Sequence, residues 1–400
     1  MSEVTVIGAG VIGLSAALMA QARGLTVTVV DREGPAAGAS AGNAGAFAFT
    51  DILPLASPGI LKKAPRWLLD PLGPLTIPPA YALQITPWLY RFWRACSPGA
   101  VAVSTRAQTA LMDLSRAELE PFLGANGTLG MLRKDGNLQV YESEAEFRAS
   151  LPGWEARTAH GIEFRHMTKE EMATLQPGLC PRFTYGTFTP GWWSIADPKD
   201  YVLALADRFR AQGGTILQAE VTGLTLQGGG VYIRTNGASL TSDKVVLAAG
   251  AFSHRIAATL GERIPLETER GYNTTLPPEA LDLRCQVTFG GHGFVVSRLT
   301  TGIRVGGAVE LGGLSLPPNF KRSEAMLRTE GGRQWMGFRP SLPDSLPAIG
   351  RSRASAQVIY AFGHGHLGLT QSAGTARIVA DLLTEQTPPV DLTPFNPHRF

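Results

Sequence analysis

Three groups of residues in this chain have the types and the spacing to do chemistry. The first is Gly8-Ala9-Gly10-Val11-Ile12-Gly13, with Asp31 eighteen positions beyond Gly13. Glycine at 8 permits a tight turn, at 10 it lets a phosphate approach the backbone, and at 13 it lets a helix pack close to a strand. Free N–H groups at a helix start, around Val11 and Ile12, suit a pyrophosphate, and an acid at 31, with Arg32 beside it, suits ribose hydroxyls. The second group is Gly363-His364-Gly365-His366-Leu367-Gly368-Leu369-Thr370, another glycine loop ahead of a helix. A helix N-terminus there would stabilise negative charge on a ligand. The third is Arg339, within Gly337-Phe338-Arg339-Pro340. Its planar fork suits a carboxylate, so it is either an anion site or a core ion-pair partner, with Asp344 as the candidate acid.

His364 and His366 could be read as metal ligands or as a catalytic pair. A bare H-x-H with no third ligand nearby is not a metal site, so no metal is expected. Contact with the bound ligand is preferred to proton transfer.

These residues need elements to position them. Glu3–Ile7 is a short apolar run, Leu14 to Ala22 is a small-residue helix stopped by Gly24, and Thr26–Val30 is a second apolar run closed by Asp31. That is a strand, glycine turn, helix and strand in one βαβ unit. Lys244 to Ala251 predicts a buried parallel strand ending in small residues, among them Ala249 and Gly250, where a strand end can meet a nucleotide. Val358–Ala361 predicts a final strand, and Ser372 to Leu383 a helix. Between these stretches the rhythm changes. Residues 104–124 read as a helix, and 130–141 as strands around a turn at Lys134–Asn137. Thr168 to Glu171 reads as a capping box, residues 201–212 as a helix, and 224–234 as a hairpin turning at Gly228–Gly230. The expected fold is α/β: a Rossmann-like dinucleotide domain made of residues 1–52, 197–261 and 337–400. An inserted α+β substrate domain with a mostly antiparallel sheet takes residues 53–196 and 262–336.

A chain of 400 residues suits two intertwined domains. A net charge of +3, spread along the chain, gives no basic run for nucleic acid. Cys96, Cys180 and Cys285 lie far apart, which argues against a disulfide frame or a cysteine metal site. No secretory signal and no run long enough for a membrane span are visible, so a cytoplasmic protein is expected, peripheral on the inner membrane at most. Two segments leave alternatives open. Residues 34–46, rich in Gly and Ala, are a linker or a loop that lets backbone approach a flat ligand. Residues 53–98 carry Trp67, Trp88, Tyr90 and Trp93 with Lys62, Lys63, Arg66, Arg91 and Arg94, the composition of an interfacial membrane patch. The alternative, which is favoured, is an insertion that caps a pocket with its aromatics turned inward.

The first glycine turn leaves FAD and NAD undecided. The second loop favours a flavin, because a reduced flavin ring carries negative charge that a helix terminus can stabilise, and a nicotinamide needs no such site.

On these residues the chain resembles the D-amino-acid oxidase/glycine oxidase superfamily of flavoproteins, most closely the bacterial D-amino-acid dehydrogenases. The resemblance covers nearly the whole chain. It rests on Val6 to Gly13, Ala39 to Gly45, Pro54-Leu55-Ala56-Ser57-Pro58-Gly59, Leu247 to Ala251, Gly337 to Pro340 with Pro343-Asp344, and Gly363 to Gly368. It implies non-covalent FAD and oxidative deamination of D-amino acids by hydride transfer from the substrate Cα to flavin N5. Electrons would pass to a quinone or other carrier, or to oxygen. It implies that Arg339 pairs with the substrate carboxylate beside the cofactor and that Tyr272 stands near the substrate. Ser40, Asn43, Ala44 and Gly45 would lie along the flavin, Val221 would meet the adenine, and Gly365 to Thr370 would face the ring. Two departures matter: the family usually has Glu where this chain has Asp31, and Trp192-Trp193-Ser194 leaves the substrate side chain open. A D-proline or cis-4-hydroxy-D-proline dehydrogenase or oxidase is the near alternative, with Tyr272, Trp192 and Trp193 boxing a ring. A non-catalytic flavin-binding module is the alternative of another class. No side chain stands out as a base for the substrate amine.

Overall fold

The computed structural model describes residues 3–60, 75–324 and 332–400. Lys62, Lys63, Arg66 and Trp67 lie outside them. The βαβ unit forms as its pattern predicts, from β1 (Glu3–Ile7), α1 (Val11–Ala22) and β2 (Thr26–Asp31). Val4, Val6, Val27 and Val29 are buried, as strands covered on both faces require. β3 (Thr215–Gln218) and β4 (Lys244–Leu247) flank this pair. Further strands are β5 (Glu267–Leu276), β6 (Gly302–Leu311), β7 (Arg333–Ser341), β8 (Ala348–Arg351) and β9 (Val358–Phe362). The six-stranded sheet has the order β3-β2-β1-β4-β9-β8. All its pairs are parallel except β8 with β9. Three further helices matter below: α2 (Ala82–Ala95), α3 (Pro98–Ala125) and α4 (Glu144–Thr158). The last, α5 (Ser372–Leu383), follows the second glycine loop. α5 packs tightly on α3, where a Cβ on Gly374 would stand 2.4 Å from Ser115 Oγ.

The second layer is a nine-stranded sheet that begins β7-β5-β6 and continues through Phe294–Leu299, Gln286–Phe289, Asn137–Tyr141, Tyr185–Thr189 and Arg165–Met167. It is antiparallel except where Gln286–Phe289 meets Asn137–Tyr141 and where β6 meets Leu75–Thr76. The fold is therefore α/β, a Rossmann-like dinucleotide-type domain carrying an inserted α+β unit with a mostly antiparallel sheet.

Two local expectations are corrected. The strands on either side of Lys134–Asn137 do not pair with each other. Leu132–Arg133 pairs with Trp192–Ile195, while Asn137–Tyr141 enters the large sheet. They serve different cores: Leu132 packs with the Rossmann-side cluster, and Leu138 and Val140 with Val287, Met172 and Phe183. The aromatics of α2 also divide. Trp88 is buried with Ile85 against Leu311, but Tyr90 and Trp93 are more than half exposed, as is Leu83. Among the described residues, no helix is long and apolar enough to cross a membrane.

Candidate active site

A cavity of about 830 Å³ runs from the carboxyl ends of β1, β2 and β4 to the face of β5 and β7. That is near the top of the usual range for a ligand site, roughly 300–1,000 Å³. At its first end the glycines are fixed by sterics. Gly8 has φ +112°, and a Cβ there would stand 2.3 Å from Ala248 O. A Cβ on Gly13 would stand 1.8 Å from Gly8 O, so Gly13 works by letting α1 close on β1 and does not line the cavity. Val11 N donates to Ser40 Oγ at 3.0 Å. No described residue accepts from the N–H of Ile12 or Gly13, so an anion at the helix start has donors waiting. The Asp31 carboxylate lines the cavity while accepting from Ala9 N at 2.8 Å and from Glu33 N and Gly34 N at 2.9 Å. Arg32 lies 3.8 Å over the Phe252 ring and pairs with Glu33. Val221, Ala249 and Gly250 border the same end.

The loop carrying Ser40, Asn43 and Ala44 is no free linker. Asn273 Nδ2 donates to Gly42 O at 2.7 Å, and Arg304 Nη1 to Asn43 O at 2.7 Å. Asn43 Oδ1 in turn accepts from Gly45 N at 2.8 Å. Gly45 does not line the cavity; its left-handed φ of +66° turns the chain so that its carbonyl meets Ile195 N. Burial pushes the Arg304 guanidinium below its ordinary range. Asn273 Oδ1 is buried on the cavity with no partner among the described residues.

Gly365, His366, Leu367, Gly368, Leu369 and Thr370 line the cavity, as does His364. Burial lowers His364 to about 3, so it is neutral, with Nε2 3.1 Å from Thr375 Oγ1. Thr370 Oγ1 accepts from Ala48 N at 3.0 Å. Gly365 N donates to Pro340 O at 2.6 Å, which ties this loop to the end of β7. His366 Nε2 lies 3.1 Å from Asp51 Oδ2. Among the described residues no group of His, Cys, Asp or Glu could hold a metal.

Arg339 sits where β7 crosses β5, opposite Glu269, and Gly337 opposes Gly271 on the same face. A Cβ on Gly271 would stand 2.6 Å from the Arg339 Cζ, and one on Gly337 would overlap the Trp335 indole. The two glycines thus leave a bare strip of sheet on which a guanidinium and an indole lie side by side. Arg339 makes no hydrogen bond or ion pair with any described residue. Burial lowers its affinity for its proton, partly offset by Glu269. Glu269 itself accepts from Ser341 Oγ at 2.6 Å. The core-pair alternative fails, because Asp344 is held by Arg399 at 2.6 and 2.9 Å.

Tyr272 is set apart from Arg339. It borders the cavity, but strand alternation puts its side chain on the opposite face of β5. There its hydroxyl donates to Glu310 Oε1 at 3.0 Å and accepts from Asn319 N at 3.0 Å. Glu310 also pairs with the fully buried Arg270 at 3.0 Å. Trp192 lines the cavity and Trp193 does not; Trp193 packs on Phe49. Sequence reasoning missed Glu269, Asn273, Arg304, Trp335 and Asp51 as cavity residues. Parity with Gly271 would have found Glu269 and Asn273; nothing local marks the others.

The unclaimed N–H groups of α1, the glycine cradle and the orphaned Asn273 oxygen fit a dinucleotide with a flat ring. A glycine turn at the carboxyl end of a parallel sheet, facing an arginine on an antiparallel one that has no partner among the described residues, is the arrangement of a dinucleotide-dependent enzyme with an anion site. The model of the DAO family, FAD dependent oxidoreductase, matches residues 3–382, and the chain belongs to that family, with FAD as its cofactor. It is 36% identical to a D-amino-acid oxidase of Bradyrhizobium diazoefficiens, over 100% of this chain and 99% of that one. It is 30% identical to a D-amino acid dehydrogenase of Rhizobium rhizogenes, over 100% of both. The glycine oxidase structure from Geobacillus kaustophilus superposes with a TM-score of 0.74 at 20% identity, covering 100% of both chains; that likeness is one of fold.

Proposed function

We propose that this chain is an FAD-dependent D-amino-acid dehydrogenase that oxidatively deaminates its substrate and passes electrons to a quinone or other carrier. The observation that carries the reading is Arg339: a partly buried guanidinium that lines the cavity and makes no hydrogen bond or ion pair with any described residue. A substrate carboxylate supplies the missing acceptor bidentately. Anchoring there fixes the Cα, so positioning is the main contribution of the protein. FAD, when bound, supplies the hydride acceptor at N5. Trp335 and Trp192 line the same cavity. The relatives named D-amino-acid oxidase and D-amino acid dehydrogenase support an amino-acid substrate and divide on the acceptor. Trp192 on the cavity also favours a second reading, a cyclic substrate such as D-proline or its 4-hydroxy analogue.

Anaerobic mixing of the holoenzyme with a panel of D-amino and cyclic imino acids tests this. Flavin bleaching by one class identifies the substrate, and reoxidation by oxygen or by a quinone identifies the acceptor. A flavin that no amino or imino acid bleaches would leave a non-catalytic flavin-binding module. Peripheral membrane contact is part of the proposal: Leu83, Tyr90 and Trp93 of α2 are exposed beside Arg91 and Arg94, as an interfacial helix requires. Co-sedimentation with anionic liposomes checks it; protein wholly in the supernatant would remove that part.

A further inference from the structure

We propose that His366, held by Asp51, takes the proton from the substrate ammonium. The inference rests on the reading of Arg339 as carboxylate anchor. An α-amino acid must lose that proton before it is oxidised, because the nitrogen needs a free lone pair when Cα gives up hydride. The sequence marks no base, and His364 and His366 look equivalent in it.

The structure separates the two histidines. His364 is buried, with its Nε2 on Thr375 Oγ1. His366 borders the cavity, is partly exposed, and has a carboxylate partner, Asp51 Oδ2 at 3.1 Å. The other Asp51 oxygen faces Arg157 Nη2 at 3.5 Å, and Arg157 is fixed by its Nε on Thr50 O at 2.9 Å. Burial pushes the Asp51 carboxyl up, but the hydrogen bond from His366 and the charges of His366 and Arg157 outweigh it, so the group is held below its ordinary value. An ionised carboxylate only accepts. A hydrogen on His366 Nε2 therefore points at Asp51, and in the neutral imidazole Nδ1 holds a lone pair to which no described residue donates. A carboxylate orienting one imidazole nitrogen and leaving the other as base is a recurring arrangement.

Location completes the case. The Gly365 N to Pro340 O bond, 2.6 Å, places His366 and Arg339 each one residue from the same backbone contact. The amine and carboxylate of one amino acid are only a few ångströms apart, so a base for the amine must stand close to the anchor. The charged group that faces His366 is Asp51, with Arg157 of α4 behind it; Arg339 of β7 and Glu269 of β5 line the same cavity, and His364 on its own loop is neutral. In the step, one ammonium N–H bond breaks, its electrons stay on nitrogen as the lone pair, and a new N–H bond forms at His366 Nδ1. The imidazolium so formed is stabilised by Asp51, and its exposed edge returns the proton to solvent.

The test uses the holoenzyme and H366Q, H366A and D51N. Flavin content and absorbance show whether FAD is still held. Stopped-flow flavin reduction by the best substrate is followed from pH 5.5 to 10. Histidine ordinarily changes charge between about pH 5 and 8, so H366Q should reduce flavin on the order of 10²-fold more slowly at neutral pH. The limb of its profile should move by more than about one pH unit toward the ionisation of the free amine. Imidazole in the buffer should speed H366A. 2-Aminoisobutyrate, which has no Cα hydrogen, should still perturb the flavin spectrum of wild type but bind more weakly to H366Q. An H366Q enzyme with full FAD and an unmoved limb overturns the inference. So does an H366Q enzyme purified without FAD, which would make His366 a cofactor ligand. Failure of the wild-type flavin to bleach with any amino or imino acid strikes instead at the proposed function.

Discussion

Replacing Arg339 by Met separates an anchor from a structural cation. In the structure the guanidinium lies across Gly271, is partly buried, and has no acceptor among the described residues; Glu269 already has Ser341 as its partner. Methionine keeps the packing over Gly271 and removes the charge. A charge taken from water without a partner costs stability, so an apolar replacement is often neutral or stabilising. R339M should therefore unfold within about 1 kcal/mol of wild type in urea, whereas breaking a buried ion pair would cost roughly 3–5 kcal/mol. The effect on catalysis is the opposite. Losing a desolvated charged partner of the carboxylate removes roughly 2–5 kcal/mol. At about 1.36 kcal/mol per decade this is about 30-fold to several thousandfold in kcat/KM. Urea melts and steady-state kinetics with the substrate found in the flavin-bleaching panel give both numbers. A large loss of stability with unchanged kcat/KM would refute the reasoning.

Three further outcomes follow from the same geometry. G271A places a methyl 2.6 Å from the Arg339 Cζ, so it should displace the guanidinium and raise KM at least about tenfold with FAD still bound; unaltered KM would mean that the bare strip is unnecessary. R399A removes the pair with Asp344 and the bond to Leu346 O at 2.7 Å. It should cost about 3 kcal/mol in a urea melt while kcat/KM stays within threefold. His364 is held neutral to about pH 3, so between its ordinary value near 6.5 and pH 3 the unfolded chain binds a proton that the native chain does not. Stability should fall as pH drops through that window, by up to about 1.36 kcal/mol per pH unit, and H364Q should lack this share of the slope; identical slopes would show that the histidine is not buried neutral.

The parts of the site that were legible in the sequence are those whose causes are local. Gly8, Gly10 and Gly13 act on their own turn, so strand, turn and helix are contiguous, and α1 and α5 form where their patterns predict. Arg339 was recognisable as a candidate, but its partner was not. Asp344 is five residues away and looks suitable, yet it turns to Arg399, fifty-five residues further on. Tyr272 and Arg339 are separated by parity in a sheet whose pairing joins residues 267–276 to 333–341, and register of that range is set by the whole fold. Asp51 meets His366 across 315 positions, which no spacing rule reaches. In α2, burial of Trp88 and exposure of Trp93 depend on which side of the helix meets Leu311.

One contact joins the two halves of the site: the Gly365 N–H on Pro340 O, reinforced by the bridge between Ser341 and His364. Through it β7, which carries Arg339, and the loop from Gly365 to Thr370 are tied backbone to backbone. Occupancy of either side then orders the other, and by linkage the effect is reciprocal. A carboxylate inhibitor should lower the Kd for FAD by the same factor by which FAD lowers the Kd for the inhibitor, both read by titration of the apoprotein. The apoprotein would then bind substrate more weakly than the holoenzyme, so FAD would load first.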